Sequence, residues 1–82
     1  MELYIGNLDF SVTKEDLERK FLECGEVSSV QVPTNKDTGQ PRGFAFITMA
    51  FDEGGRKAIA NLNGEPFKGR PLKVSEHSRR SR

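Results

Sequence analysis

The octapeptide Arg42-Gly43-Phe44-Ala45-Phe46-Ile47-Thr48-Met49 constrains this chain more than any other stretch. In an extended backbone its side chains alternate between two faces. Gly43, Ala45, Ile47 and Met49 fall on one face, and Arg42, Phe44, Phe46 and Thr48 on the other. A strand in a small sheet with one covered side should show one polar face. This strand puts two phenylalanines where polar residues are expected. Either both faces are covered, or one is left open and aromatic.

The remaining periodicities bear on that choice. Leu3 and Ile5 share a phase opposite to Glu2 and Tyr4, which predicts a strand over about 2–6. Thr13 is a good N-cap, Asp16 completes a capping-box spacing, and Val12 with Leu17 has the spacing of a hydrophobic staple. Leu17, Phe21 and Cys24 then form one apolar stripe, and Gly25 is expected to close the helix as a C′ glycine. A second strand is expected from Val27 to Val32, with Val30 and Val32 on one face and Ser29 and Gln31 on the other. The polar loop from Thr34 to Pro41 leads into a third strand, expected over the whole of Arg42 to Met49.

A second helix is expected from about Asp52 to Leu62, with Ala58, Ile59 and Leu62 as its stripe. Gly54 and Gly55 each cost about 1 kcal/mol relative to alanine inside a helix. They predict a frayed first turn, or a start near Arg56. A turn-rich connection through Phe67 and Gly69 leads to a last strand from Arg70 to Ser75, with Leu72 and Val74 inward and Lys73 and Ser75 outward. The order is β-α-β-β-α-β. The fold class is α+β: a ferredoxin-like sandwich of one four-stranded antiparallel sheet with both helices on one face.

Two helices with one stripe each cover one side of a sheet. Leu3, Ile5, Val30, Val32, Ala45, Ile47, Leu72 and Val74 already supply a complete face for them. Tyr4, Phe44 and Phe46 are therefore expected on the open side and not in the core. Phe10, Phe21, Phe51 and Phe67 are assigned to the core or its edge.

At 82 residues there is room for one core only. The net charge of +1 conceals an asymmetry. Residues 1–37 hold four Lys/Arg against eight Asp/Glu, and residues 38–82 hold nine against four. One end or face thus suits a polyanion. A single cysteine, Cys24, and a single histidine, His77, allow neither an internal disulfide nor a zinc site, which favours a reducing interior. Cys24 is read as a small buried residue rather than a reactive thiol. No signal-peptide pattern opens the chain, and no run approaches the length of a membrane span.

Two segments carry a resemblance. Arg42 to Met49 resembles the RNP1 octamer of RNA recognition motifs, and Leu3-Tyr4-Ile5-Gly6-Asn7-Leu8 looks like their RNP2 hexamer. The spacing between the two is similar as well, as are Asp16-Leu17 with Phe21 and Gly25, and Leu62-Asn63-Gly64. The resemblance covers about residues 2–76. It implies that strands one and three are central neighbours, and that the domain binds single-stranded RNA by base stacking on Tyr4, Phe44 and Phe46.

Around the rings, Arg42 is expected to meet a phosphate. Lys73, Ser75 and Gln31 point to the same side and are assigned to RNA contact. Asn7 is assigned either to RNA or to tying the loop after strand one. Gly43 is read as keeping the core side of its strand small. His77 either stacks on a base or stands idle in solvent. Two residues depart from the family pattern. Met49 ends the octamer where an aromatic is usual, but its phase is the core. Glu2 lies on the open face where a basic residue is common, and should weaken phosphate binding.

The chain is thus divided into an RNA recognition motif at 1–76 and a basic tail at 77–82, too polar to pack. It is expected to be monomeric and intracellular, with single-stranded RNA as partner and no cofactor, metal, membrane or small-molecule substrate. The start at strand one and the short tail look similar to the small single-motif RNA-binding proteins of bacteria; an excised domain of a nuclear protein is the alternative. A protein-binding relative of the motif would normally lack the aromatics that are present here. A ferredoxin-like metal chaperone would want a Cys-x-x-Cys, and a hydrolase a nucleophile beside a base. Neither pattern occurs.

Overall fold

The computed structural model describes residues 1–39 and 42–77. Eight elements follow in order: β1 (Glu2–Gly6), α1 (Lys14–Leu22), β2 (Val27–Gln31), β3 (Ala45–Met49), α2 (Asp52–Leu62), β4 (Pro66–Phe67), β5 (Arg70–Pro71) and β6 (Lys73–Glu76). The main sheet has the order β2-β3-β1-β6, and every pairing in it is antiparallel. β1 and β3 are its two central strands, which yields the ferredoxin-like arrangement expected from the sequence.

The core forms where the inward strand phase meets the helix stripes. Leu3, Ile5, Ala45, Ile47 and Met49 from the central strands join Leu17 and Phe21 of α1 and Ala58 and Leu62 of α2 in one buried cluster. Leu72 and Val74 close it on the β6 side, and Val30 on the β2 side. No polar or charged side chain is buried among the described residues, so packing alone defines this layer.

α1 begins as its sequence requires. Thr13 Oγ1 accepts from Asp16 N, and Asp16 Oδ2 accepts from Thr13 N, both at 3.1 Å. Val12 and Leu17 are buried on either side of this box. The helix end differs from expectation. Its C-cap is Glu23, a right-handed residue, and Gly25 has no positive φ. Gly25 is needed for space instead: a Cβ there would stand 2.9 Å from Gly54 Cα.

The same contact overturns the frayed start of α2. The helix is continuous from Asp52, and Gly54 and Gly55 are buried inside it. A Cβ on Gly54 would stand 3.2 Å from Met49 Cε, and one on Gly55 would overlap the Met1 side chain. The two glycines let the helix sit close to the end of β3 and to the α1–β2 junction, and close packing offsets their poor propensity.

β3 is shorter than its sequence suggested. Pairing begins at Ala45, because Gly43 adopts φ +91° and turns the chain before the ladder starts. Gly43 is therefore required by backbone conformation and not by packing on a helix. Arg42 lies in the loop and not in the strand. β2 ends at Gln31, one residue before the expected Val32. A bulge between Val27 and Ser29 shifts the register and lets Val27 pack against the core.

The expected last strand divides in two. Arg70 and Pro71 pair with Pro66 and Phe67 in a small hairpin, and only Lys73 to Glu76 pair with β1. Lys68 and Gly69 both have positive φ at the hairpin turn, the geometry of a tight primed turn. Phe21 is fully buried and Phe67 is packed on the core, but Phe10 and Phe51 are 62% and 64% exposed. The core assignment of these last two is thus corrected. Both lie in connections outside the α1 and α2 stripes.

Candidate nucleic-acid interface

The open face of the sheet is ordered by register. Gln31 pairs with Phe46, Phe46 with Tyr4, and Tyr4 with Ser75. Directly paired residues share a face, so these four form one row across all four strands. Phe44 directly precedes β3, and its ring lies beside those of Tyr4 and Phe46 on the same side.

The three rings form a contiguous cluster. Tyr4 and Phe44 lie 6.1 Å apart at 25°, Tyr4 and Phe46 5.9 Å apart at 58°, and Phe44 and Phe46 5.6 Å apart at 77°. All three side chains are half-buried, shielded by one another and open on their outer faces. They offer π surface without joining the core beneath the sheet.

Two residues that the sequence underrated shape this surface. Gly6 lies under the Tyr4 ring: a Cβ there would stand 2.9 Å from Tyr4 Cε2. Any side chain would displace the ring, so Gly6 sets its tilt. The signal in the sequence was a glycine at the outward phase of β1, two residues after an aromatic. His77 packs at 4.7 Å from Phe46 and extends the aromatic row past the end of β6. Its N–H donates to Glu2 O at 2.8 Å, which continues the β1–β6 ladder by one bond.

Polar groups surround the rings. The Arg42 guanidinium lies over the Phe44 ring, 5.6 Å from its centroid, within cation–π range. Lys73, Ser75 and Gln31 are exposed on the open face. Neither Arg42 nor Lys73 enters an ion pair among the described residues, whereas Lys20 pairs with Glu65 and Lys68 with Asp16 on the helical side. Asn7 serves the scaffold. At φ 58°, its Nδ2 donates to Pro71 O at 2.8 Å, and its Oδ1 accepts from Arg70 Nη2 at 2.8 Å. It ties the end of β1 to the hairpin. Asp9, in the same connection, has its carboxyl held below the usual aspartate range, chiefly by the Ser11 N–H and more weakly by Arg70.

Cys24 is buried on the opposite side of the sheet, and burial with the neighbouring Glu23 carboxylate pushes its thiol pKa up. Among the described residues, no group of three or more His, Cys, Asp or Glu could hold a metal ion, and no helix is long and apolar enough to cross a membrane. Of the basic tail, residues 78–82 lie outside the described residues.

The family model of RNA recognition motifs matches residues 3–73. This chain belongs to that family. The match takes in Tyr4, Phe44, Phe46, Arg42 and Lys73 and stops short of Ser75 and His77. The chain is 45% identical over 76 residues to a Nostoc sp. protein named "Putative RNA-binding protein RbpA", covering 93% of this chain and 74% of that one. It is also similar to the crystal structure of RNA-binding protein PG1, with a TM-score of 0.93 and 39% identity over 100% of this chain and 99% of that one. The RNA recognition motif of Rna15, solved with bound RNA (GU), superposes with a TM-score of 0.86 at 28% identity, over 94% of this chain and 82% of that one. Within the motif, the β1–β3 pair carries the aromatic cluster, and the edge strands β2 and β6 contribute the polar ends of the row.

Proposed function

We propose that this domain binds single-stranded RNA by stacking unpaired bases on Tyr4, Phe44 and Phe46. Arg42 and Lys73 meet phosphates, and Ser75 and Gln31 hydrogen-bond to base edges or sugar. Asn7 contributes by fixing the loop after β1, and His77 adds a fourth ring beside Phe46. The observation that carries this reading is the set of three touching rings on the face opposite a complete core. Half-open aromatic surface in water is unfavourable, and a base π-face relieves it.

The role is binding and not catalysis. His77 stands on the open face, while Cys24 is buried beneath the sheet with its thiol pKa raised, so the two cannot act as nucleophile and base. The relatives named for RNA binding support the same reading. The domain works as a monomer in a reducing cellular interior.

Two or three stacked bases give about 2–9 kcal/mol gross at ~1–3 kcal/mol each. Association entropy removes several kcal/mol of that. A lone domain should therefore bind about three or four nucleotides with micromolar or weaker affinity. Fluorescence anisotropy with one oligomer, single-stranded and then annealed to its complement, tests the mode. Stacking requires unpaired bases, and each base-pair step costs ~1.4 kcal/mol to open. The single strand should bind and the duplex should not. Equal affinities would show that charge governs the interaction, and would end the stacking reading.

A further inference from the structure

Phe44 stands one residue outside the ladder that carries the other two rings. The β1–β3 pairing ends at Ile5 with Ala45, and the β2–β3 pairing ends at Gln31 with Phe46. Gly43 turns the chain immediately before Phe44, at φ +91°. Beyond the ladder, the Leu8 N–H donates to Gly43 O at 2.9 Å. That carbonyl belongs to the rigid peptide unit whose nitrogen is Phe44 N, so the bond holds the plane from which the ring departs. Arg42, on the other side of Gly43, lies over the same ring at 5.6 Å. One turn thus places both the ring and its cation.

Leu8 in turn depends on Asn7. At φ 58°, Asn7 holds a left-handed backbone that costs a non-glycine residue free energy unless its side chain is bonded locally. The grip comes from the β4–β5 hairpin, outside the four-stranded sheet. Arg70 Nη2 donates to Asn7 Oδ1 at 2.8 Å, and Asn7 Nδ2 donates to Pro71 O at 2.8 Å. Pro71 offers a backbone carbonyl that many residues could supply. Arg70 supplies a side-chain donor, and it does so from an exposed position remote in sequence from both strands of the aromatic pair.

We infer that Arg70 is a positioning residue for RNA binding: through Asn7 and the Leu8–Gly43 bond it fixes the Phe44 ring. This rests on the stacking function proposed above and assigns part of it to a residue away from the rings. Stacking depends on where the plane of a ring lies, and Phe44 is the ring that the ladder does not hold. The other role open to an exposed arginine is a direct phosphate contact. The bond to Asn7 engages the guanidinium with the loop instead.

A double-mutant cycle on a single-stranded oligomer of about four nucleotides tests this, because it isolates the coupling between two residues. Phe44→Ala should weaken binding about five- to hundredfold. Arg70→Ala should weaken it about three- to tenfold in the wild type, the loss of one hydrogen bond, and by less than about twofold in the Phe44→Ala or Asn7→Gly background. The salt slope of Arg70→Ala should match wild type, and the Phe44 ring protons of the free protein should shift. A lower unfolding midpoint alone would move neither the coupling nor those shifts, and affinities are read well below the midpoint of each variant. If Arg70→Ala leaves affinity unchanged, or its loss adds fully to that of Phe44→Ala, the positioning role is overturned and the stacking face stands. An additive loss with a slope flattened by about 0.7 would identify a phosphate contact in its place. If Phe44→Ala itself changes nothing, both readings fall together.

Discussion

Gly25 and Gly54 meet backbone to backbone, so that a Cβ on Gly25 would stand 2.9 Å from Gly54 Cα. This contact seats the start of α2 against the α1–β2 junction. Gly25→Ala should force the two segments apart and destabilise the domain by about 1–3 kcal/mol, the usual range for overpacking. At about 4–8 °C per kcal/mol for a domain of this size, thermal unfolding by circular dichroism will detect it. An unchanged midpoint would mean that the junction yields freely.

The capping box of α1 carries a pH signature. The Thr13 N–H, and next the Lys68 ammonium, hold the Asp16 carboxyl below the usual aspartate range. A carboxyl whose folded pKa is depressed stabilises the fold above its unfolded pKa, and loses that contribution as pH falls through the folded value. Thr13→Ala should cost ~1 kcal/mol at neutral pH. Asp16→Asn should also destabilise at neutral pH, and its deficit relative to wild type should shrink steadily below about pH 4. Denaturant unfolding of both variants across acid pH checks the sign.

Asn7 combines a left-handed backbone with two side-chain bonds. Asn7→Ala loses both features and should cost about 1–3 kcal/mol. Asn7→Gly keeps the backbone conformation and should recover part of that cost. If Asn7 works through the loop, both variants should lose RNA affinity only as far as the loop shifts. A full loss of affinity in a stably folded Asn7→Gly would show direct contact instead.

Arg42 and Lys73 predict the salt dependence of RNA binding. Each phosphate neutralised on a single strand contributes about −0.7 to the log–log slope, so two or three contacts give roughly −2. Arg42→Ala should flatten the slope by about 0.7 and also remove the cation over Phe44. A wild-type slope steeper than about −4 would assign more of the binding to the basic tail.

The two faces of the sheet were legible in the sequence because strand alternation is local. Leu3 and Ile5 against Tyr4, and Ala45 and Ile47 against Phe44 and Phe46, needed only a period of two and a count of available cover. The Thr13–Asp16 box is local too, closed within four residues, and it formed as its spacing implied. The contacts that escaped the sequence join residues far apart along the chain or depend on backbone handedness. Gly25 with Gly54, and His77 beside Phe46, are meetings that no local pattern encodes. Gly43 occupied an apolar strand phase, and only its φ of +91° showed that the chain turns there. The bulge after Val27 and the separation of Arg70–Pro71 from β6 were likewise settled by competition among pairing partners. Phe10 and Phe51 look like core residues by composition. Which phenylalanines are buried depends on the volume the helices leave to fill, and Phe21 and Phe67, not these two, take it. Periodicity thus determined which residues face the core and which face outward, because it acts between near neighbours. Tertiary packing decided how closely the elements approach and which rings touch, because those distances arise only when the segments compete for the same space.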